Sequence, residues 1–194
     1  MGRWKPDAQG RLAQAALELY GERGFEQTTV AEIAARAGLT ERTFFRHFAD
    51  KREVLFAGAD EFEALLLGGV AGAPETAAPL DAIAAGLDAI GALLQERRSF
   101  ARQRQSIISA NADLQERERH KLASLATGAA GALRDRGVSE PAASLAAEAG
   151  IAVFRIAFEQ WVQDPDDPDL VSVIHESLDE LKAVTTGHPA VTPA

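Results

Sequence analysis

The chain has 194 residues, 46% of them hydrophobic, and no cysteine. Its length allows one or two domains with a buried core, and the missing thiols exclude disulfides, thiolate metal sites and cysteine nucleophiles. The formal net charge of -9 is unevenly spread: residues 1–56 carry nine Lys/Arg against eight Asp/Glu, leaving an acidic remainder. A near-neutral head can meet a phosphate backbone with a basic face, whereas an acidic body is repelled from it. No apolar run reaches the roughly 18 residues of a membrane span. The opening MGRWKPDAQGR lacks the apolar core of a signal peptide, so a soluble cytoplasmic protein is expected, with no membrane partner.

Helical periodicity marks every strong segment, and no run alternates as a strand would. The first helix is expected from about Asp7 to Arg23, with Leu12, Ala15, Ala16, Leu19 and Tyr20 on one face and Gly24-Phe25 at its end. Thr29 and Glu32 have capping-box spacing, and Val30, Ile33, Ala34 and Ala37 form an apolar face before Gly38 ends a second helix. Leu39 then packs back, and Thr40 caps a third helix running to about His47. Phe44 and Phe48 anchor that helix, leaving Arg42, Thr43, Arg46 and His47 outward. Arginine can donate twice to guanine, and a threonine methyl can pack on thymine, both in the major groove. The spacing alone fits a DNA-reading helix-turn-helix, and equally a helical hairpin with a solvated basic face.

A fourth helix is expected from Asp50, with Asp50 and Glu53 as a capping box and Val54, Leu55, Ala59, Phe62, Leu65 and Leu66 inward. Gly68, Gly69, Gly72 and Pro74 suggest a linker over 68–78. Ile83, Leu87, Ile90 and Leu94 define a fifth helix, and Phe100, Ile107 and Ile108 a sixth. Asp113 caps a seventh ending at Gly137-Val138. Ser139 and Pro141 open an eighth running to Gln163, and Asp167-Pro168 a ninth running to about Val184. The eighth is apolar on several sides, which demands burial on several sides. The expected fold is all-α: a three-helix helix-turn-helix domain at 1–56, a helical ligand-binding and dimerisation domain at 57–184, and a loose tail at 185–194, about nine helices in all.

Gly38-Leu39-Thr40, Thr43-Phe44-Phe45, His47-Phe48 and Asp50-Lys51, with GERGFEQTTVAEIAARAG before them, resemble the N-terminal domain of TetR-family transcriptional repressors over about residues 8–56. The resemblance implies a DNA-binding repressor of a palindromic operator, read by Thr28, Thr29, Thr40, Arg42, Thr43, Phe45, Arg46, His47 and Lys51. Thr28, Thr29 and Lys51 match positions that hold the DNA backbone, Thr29 and Lys51 at helix N-termini where amides favour phosphate. Phe45 departs from the pattern, because the family usually carries a tyrosine there whose phenol contacts a phosphate.

The same resemblance implies a homodimer through the last two helices, using Ile151, Phe154, Phe158, Val171, Ile174, Leu178 and Leu181, with core packing as the alternative for these residues. Two heads about one DNA turn apart, roughly 34 Å, would then read the palindrome. A small-molecule effector is expected in the body, and Phe100, Arg102, Gln103, Arg104, Ile107, Phe154, Phe158 and Trp161 are candidates for its cavity or for plain core. The arginine-rich stretch from Arg97 to Lys121 reads either as a solvated face, paired with Glu96, Glu116 and Glu118, or as an anion pocket. With FRIAFEQWVQDPDDPDL, it is similar to TetR-family regulators that bind acyl-coenzyme A, including the mycofactocin-associated type. Arginine forks would suit the coenzyme's phosphates. No nucleophile elbow, Walker loop, dinucleotide fingerprint or cofactor motif is present, and His47, His120, His175 and His188 have no metal-ligand spacing, so no enzyme is expected.

Overall fold

The computed structural model describes residues 8–186. Among them are nine α-helices and no strand: α1 (Ala8–Arg23), α2 (Val30–Arg36), α3 (Glu41–His47), α4 (Ala59–Gly72), α5 (Pro79–Glu96), α6 (Arg98–Ser109), α7 (Ala112–Asp135), α8 (Ala142–Gln163) and α9 (Leu170–Thr186). A 3-10 turn, Glu53–Phe56, lies between α3 and α4. The chain divides into two compact units, one holding residues 8–60 with Arg102–Glu118, the other Glu61–Ala101 with residues 119–186. Met1 to Asp7, including the expected start of the first helix, and residues 187–194 of the expected tail lie outside the described residues.

In the first unit α1 buries Leu12, Ala15, Ala16, Leu19 and Tyr20, as its periodicity requires. Gly24 ends it at φ +87°, a backbone state open to glycine at little cost. Phe25 then folds back edge-on to Tyr20, with ring centroids 5.1 Å apart. The expected fourth helix forms differently. Asp50 accepts from the Arg52 and Glu53 N–H groups at 2.8 and 3.2 Å, but only the 3-10 turn follows. Gly58 at φ +91° breaks the run before α4 begins. The Glu53 carboxylate pairs with Arg117.

In the second unit α5, α8 and α9 pack on one another around Ile83, Leu87, Ile90, Ile151, Phe154, Trp161, Ile174 and Leu178. The expected linker at 68–78 is largely helix: α4 runs through Gly68 and Gly69 to Gly72. Gly69 sits where a Cβ would collide with the backbone of Gly86, so the small residues permit close crossing of α4 and α5. Composition alone reads such glycines as breaks. Two caps also lie elsewhere than expected. Asn111 Oδ1, not Asp113, accepts the first N–H groups of α7, and Asp169 Oδ2 accepts from Ser172 at the start of α9. At the far end of α7, Gly137 at φ +87° lets Val138 N donate to Leu133 O at 3.1 Å, closing the helix as expected.

Candidate nucleic-acid interface

The turn between α2 and α3 is built by local chemistry. Glu32 N donates to the Thr29 hydroxyl at 3.3 Å, and Thr29 N donates to Glu32 Oε2 at 2.9 Å, completing the capping box. Those bonds from Thr29 hold the Glu32 carboxyl below its ordinary value, with Arg23 assisting. At the other end Gly38 adopts φ +66°, and Leu39 N donates to Ala34 O at 2.8 Å. Thr40 then starts α3 by accepting from Thr43 N at 3.2 Å, while the two threonine hydroxyls share a 3.0 Å bond.

Phe44 is fully buried and Phe48 nearly so, with ring centroids 5.5 Å apart. Burial of a side chain of this size contributes on the order of 1.5–3 kcal/mol, enough to fix which face of a two-turn helix points outward. Glu41, Arg42, Phe45 and Arg46 occupy that outward face, and Thr43 and His47 lie at its half-buried margins. His47 Nε2 is enclosed, without a hydrogen-bond partner among the described residues.

The cations of this unit divide sharply. Arg11 is spent on the Ala37 carbonyl, and Arg23 pairs with Glu32 at 2.8 Å. Arg36 pairs with Glu22 and Glu18 at 2.9 and 3.3 Å, and Arg52 with Asp50 at 2.7 Å. The Arg36 contact holds the Glu22 carboxyl below its usual range. Arg42 and Arg46 are exposed and engage no carboxylate among the described residues. Among the described residues of 8–60, the exposed face of α3 therefore carries guanidinium groups that engage no carboxylate.

Two of the expected DNA contacts have side chains engaged within the unit itself. Thr28 is 1% exposed, and its hydroxyl donates to Gly24 O at 2.9 Å, serving the end of α1 instead of a surface. The Lys51 ammonium donates to the carbonyls of Phe25, Glu26 and Thr28 at 2.9, 3.2 and 3.1 Å, and lies 4.5 Å from the centre of the Phe25 ring. An ammonium has three protons to give, and all are used on the loop before α2. The Lys51 carbonyl also receives the Tyr20 hydroxyl at 2.6 Å, and burial raises that phenol well above its usual range. Lys51 is thus a clasp on the fold. Thr29 and Thr40 remain exposed at their helix starts.

The expected ligand residues fall in both units. Phe100, Phe154, Phe158 and Trp161 belong to the second; Arg102, Gln103, Arg104 and Ile107 belong to the first. Gln103 donates to Leu17 O at 3.2 Å. Arg104 donates to Leu55 O and to Glu118 at 2.6 and 2.9 Å and stacks on Phe56 at 5.1 Å. Burial pulls the Arg104 guanidinium below its ordinary value, which the Glu118 charge partly offsets. These two side chains are packing elements of the first unit, and Ile107 is core.

In the second unit Phe154, Phe158 and Trp161 form a ring ladder with centroids 6.0 and 5.8 Å apart. Arg98 closes it, 4.6 Å from the Trp161 ring centre. It donates to the carbonyls of Trp161, Asp164 and Pro168 at 2.7, 3.1 and 2.9 Å and pairs with Asp167 at 2.7 Å. Trp161 Nε1 is satisfied by Gln95 and Pro168. Within the arginine-rich stretch Arg97, Arg98, Arg104 and Arg117 are each engaged by carboxylates or carbonyls, Arg104 by Glu118 as the solvated-face reading has it.

The expected pairing residues of α8 and α9 differ in exposure. Ile151, Phe154, Ile174 and Leu178 are buried in the chain's own core, and Phe158, Val171 and Leu181 are half-buried. The apolar residues left outward on these helices include Leu145, Ala152 and Ile156 on α8 and Val184 on α9, with Leu145 67% exposed and Ile156 51%. Leu145, Ala149, Ala152 and Ile156 follow helical spacing, a signal present in the sequence but masked because α8 is apolar on several sides.

Residues 12–57 match the profile described as bacterial regulatory proteins, tetR family, and residues 77–186 match the MftR C-terminal domain. The HTH-type transcriptional regulator TcmR of Streptomyces glaucescens is 38% identical over 73 residues, which are 38% of this chain and 32% of TcmR. The chain thus spans about a third of that curated relative's length. Among solved structures, Thermus thermophilus FadR, a TetR-family transcriptional repressor in complex with lauroyl-CoA, is 21% identical with a TM-score of 0.60, covering 96% of this chain and 99% of that one. SmeT, the repressor of the Stenotrophomonas maltophilia multidrug efflux pump SmeDEF, is 22% identical with a TM-score of 0.60, covering 91% and 89%. The two profile matches together, one on the helix-turn-helix and one on more than half of the chain, establish that this protein belongs to the TetR family of bacterial regulatory proteins.

Proposed function

We propose that the protein is a sequence-specific DNA-binding transcriptional repressor that reads a palindromic operator in the cytoplasm as a homodimer and is released by a small hydrophobic or acyl-CoA-like ligand. The carrying observation is the division of cations: Arg42 and Arg46 stay uncommitted on the outward face of α3, while Arg11, Arg23, Arg36, Lys51 and Arg52 are consumed internally. Guanidinium groups held ready on a short helix suit guanine O6 and N7 in the major groove. The head at 1–56 carries this function. The body at 57–184 carries the dimer and ligand sites.

Leu145, Ala149, Ala152 and Ile156 on α8, with Val184 on α9, support dimerisation as an apolar stripe of the kind that helix pairing buries. Half-buried Phe62, Leu65, Leu122, Leu125, Phe158 and Val162 around the second unit's core support an apolar effector. The similarity to FadR with lauroyl-CoA favours a thioester-linked chain among such ligands. Release then requires the ligand to bind more tightly to a state whose heads are spaced wrongly for DNA.

The test is selection of a site from a random duplex library with the full chain, followed by anisotropy at fixed salt. An enriched palindrome, weakened about ten-fold or more by Arg42→Ala or Arg46→Ala, supports the reading. Unchanged affinity in both variants overturns it. Adding acyl-CoA thioesters, fatty acids or hydrophobic drugs to the complex identifies the class that releases it. In sedimentation, Leu145→Asp with Ile156→Asp is expected to give a folded monomer.

A further inference from the structure

Phe45 is the anomaly on the outward face of α3. A phenylalanine 56% exposed between polar neighbours places a large apolar surface in water, and it can neither donate to a phosphate nor hydrogen-bond a base edge. Its position is nevertheless fixed. The ring stands edge-on to Phe44, with centroids 5.4 Å apart and planes at 80°, and Phe44 is itself fully buried against Phe48. Ordering this side chain on binding therefore costs little further entropy. Arg42 and Arg46, three residues before it and one after, flank it with free positive charge and direct the same face at DNA.

Major-groove base edges offer polar atoms at every position and one protruding carbon, the 5-methyl group of thymine. We propose that Phe45 is a specificity-determining residue that selects thymine at one position in each half-site by covering that methyl group, next to the bases or phosphates held by Arg42 and Arg46. This inference rests on the DNA-binding reading above and adds a base identity to it. It also gives the missing phenol a consequence: exchanging a polar tip for a bare ring replaces a backbone contact, which carries no sequence information, with one that does.

The experiment uses the site selected by the full-length protein. Each thymine is replaced singly by deoxyuridine, which keeps the base pair and removes only the methyl group, and affinity is measured for wild type, Phe45→Ala and Phe45→Leu. One thymine per half-site is expected at which the replacement weakens wild-type binding about four-fold, the worth of one buried methyl group. Phe45→Ala is expected to bind both duplexes equally, and Phe45→Leu, still apolar, to keep part of the discrimination. Because the side chain is exposed, unchanged thermal melting of both variants verifies that the fold survives. An enriched site at which no thymine distinguishes wild type from Phe45→Ala overturns the inference and leaves the DNA-binding reading standing. Enrichment of no sequence at all overturns both.

Discussion

Helix α3 and the arginine-rich stretch of α6 and α7 present the same residue type to opposite ends. On α3, Arg42 and Arg46 are exposed and uncommitted. Along α6 and α7, Arg98 gathers three carbonyls, Arg104 a carbonyl and Glu118, and Arg117 the Glu53 carboxylate. Arginine density is therefore a poor guide to anion binding. What counts is whether the guanidinium has already been satisfied, since a paired one must lose its partner before it can take a phosphate.

The contrast predicts that stability and DNA affinity respond in opposite order. The largest stability loss is expected for Arg98→Ala, which strips three carbonyls of the α8–α9 connection of their donor; urea unfolding should show a cost of about 2–4 kcal/mol. Affinity per folded molecule should hold, and a loss below about 1 kcal/mol would break the comparison. Lys51→Ala is next, at about 1–3 kcal/mol for three carbonyl bonds. Its ammonium faces inward, so the slope of log affinity against log salt should stay as in wild type. A slope flatter by about one unit would instead make Lys51 a phosphate contact.

Arg42→Ala is expected to move stability by no more than about 0.5 kcal/mol while costing the operator complex about 1–3 kcal/mol. The smallest effect concerns the capping box. Thr29→Ala should cost about 1 kcal/mol. The Glu32 carboxyl is depressed in the folded state, so its contribution is complete above the ordinary glutamate value and fades as pH falls through the depressed one. Wild-type and Thr29→Ala melting temperatures should therefore draw closer on acidification without meeting, since the alanine keeps its N–H and the bond from Glu32 N to the Thr29 hydroxyl does not titrate.

The helix-turn-helix was legible residue by residue because its signals are local. Thr29 with Glu32, Gly38, and Thr40 act on backbone groups within four positions, and each does what its spacing implies. The candidate site was legible only in part. Thr28 and Lys51 lie among the matched residues, yet Thr28 is buried and the Lys51 ammonium donates to three carbonyls of the chain itself. Neither fact can be read from spacing, since Phe25, Glu26 and Thr28 meet Lys51 only after the chain has turned twice.

By itself the sequence determined the all-helical class, most helix limits, the direction of the turn and the outward placement of Arg42 and Arg46. Hydrogen bonds and periodicity within a few residues dictate those features. Tertiary structure alone decided which arginines are spent, that Gly69 marks a helix crossing and not a linker, and which face of α8 stays uncovered. Each of those depends on a partner distant in the chain. An apolar or charged side chain does not specify that partner until the core has closed around it.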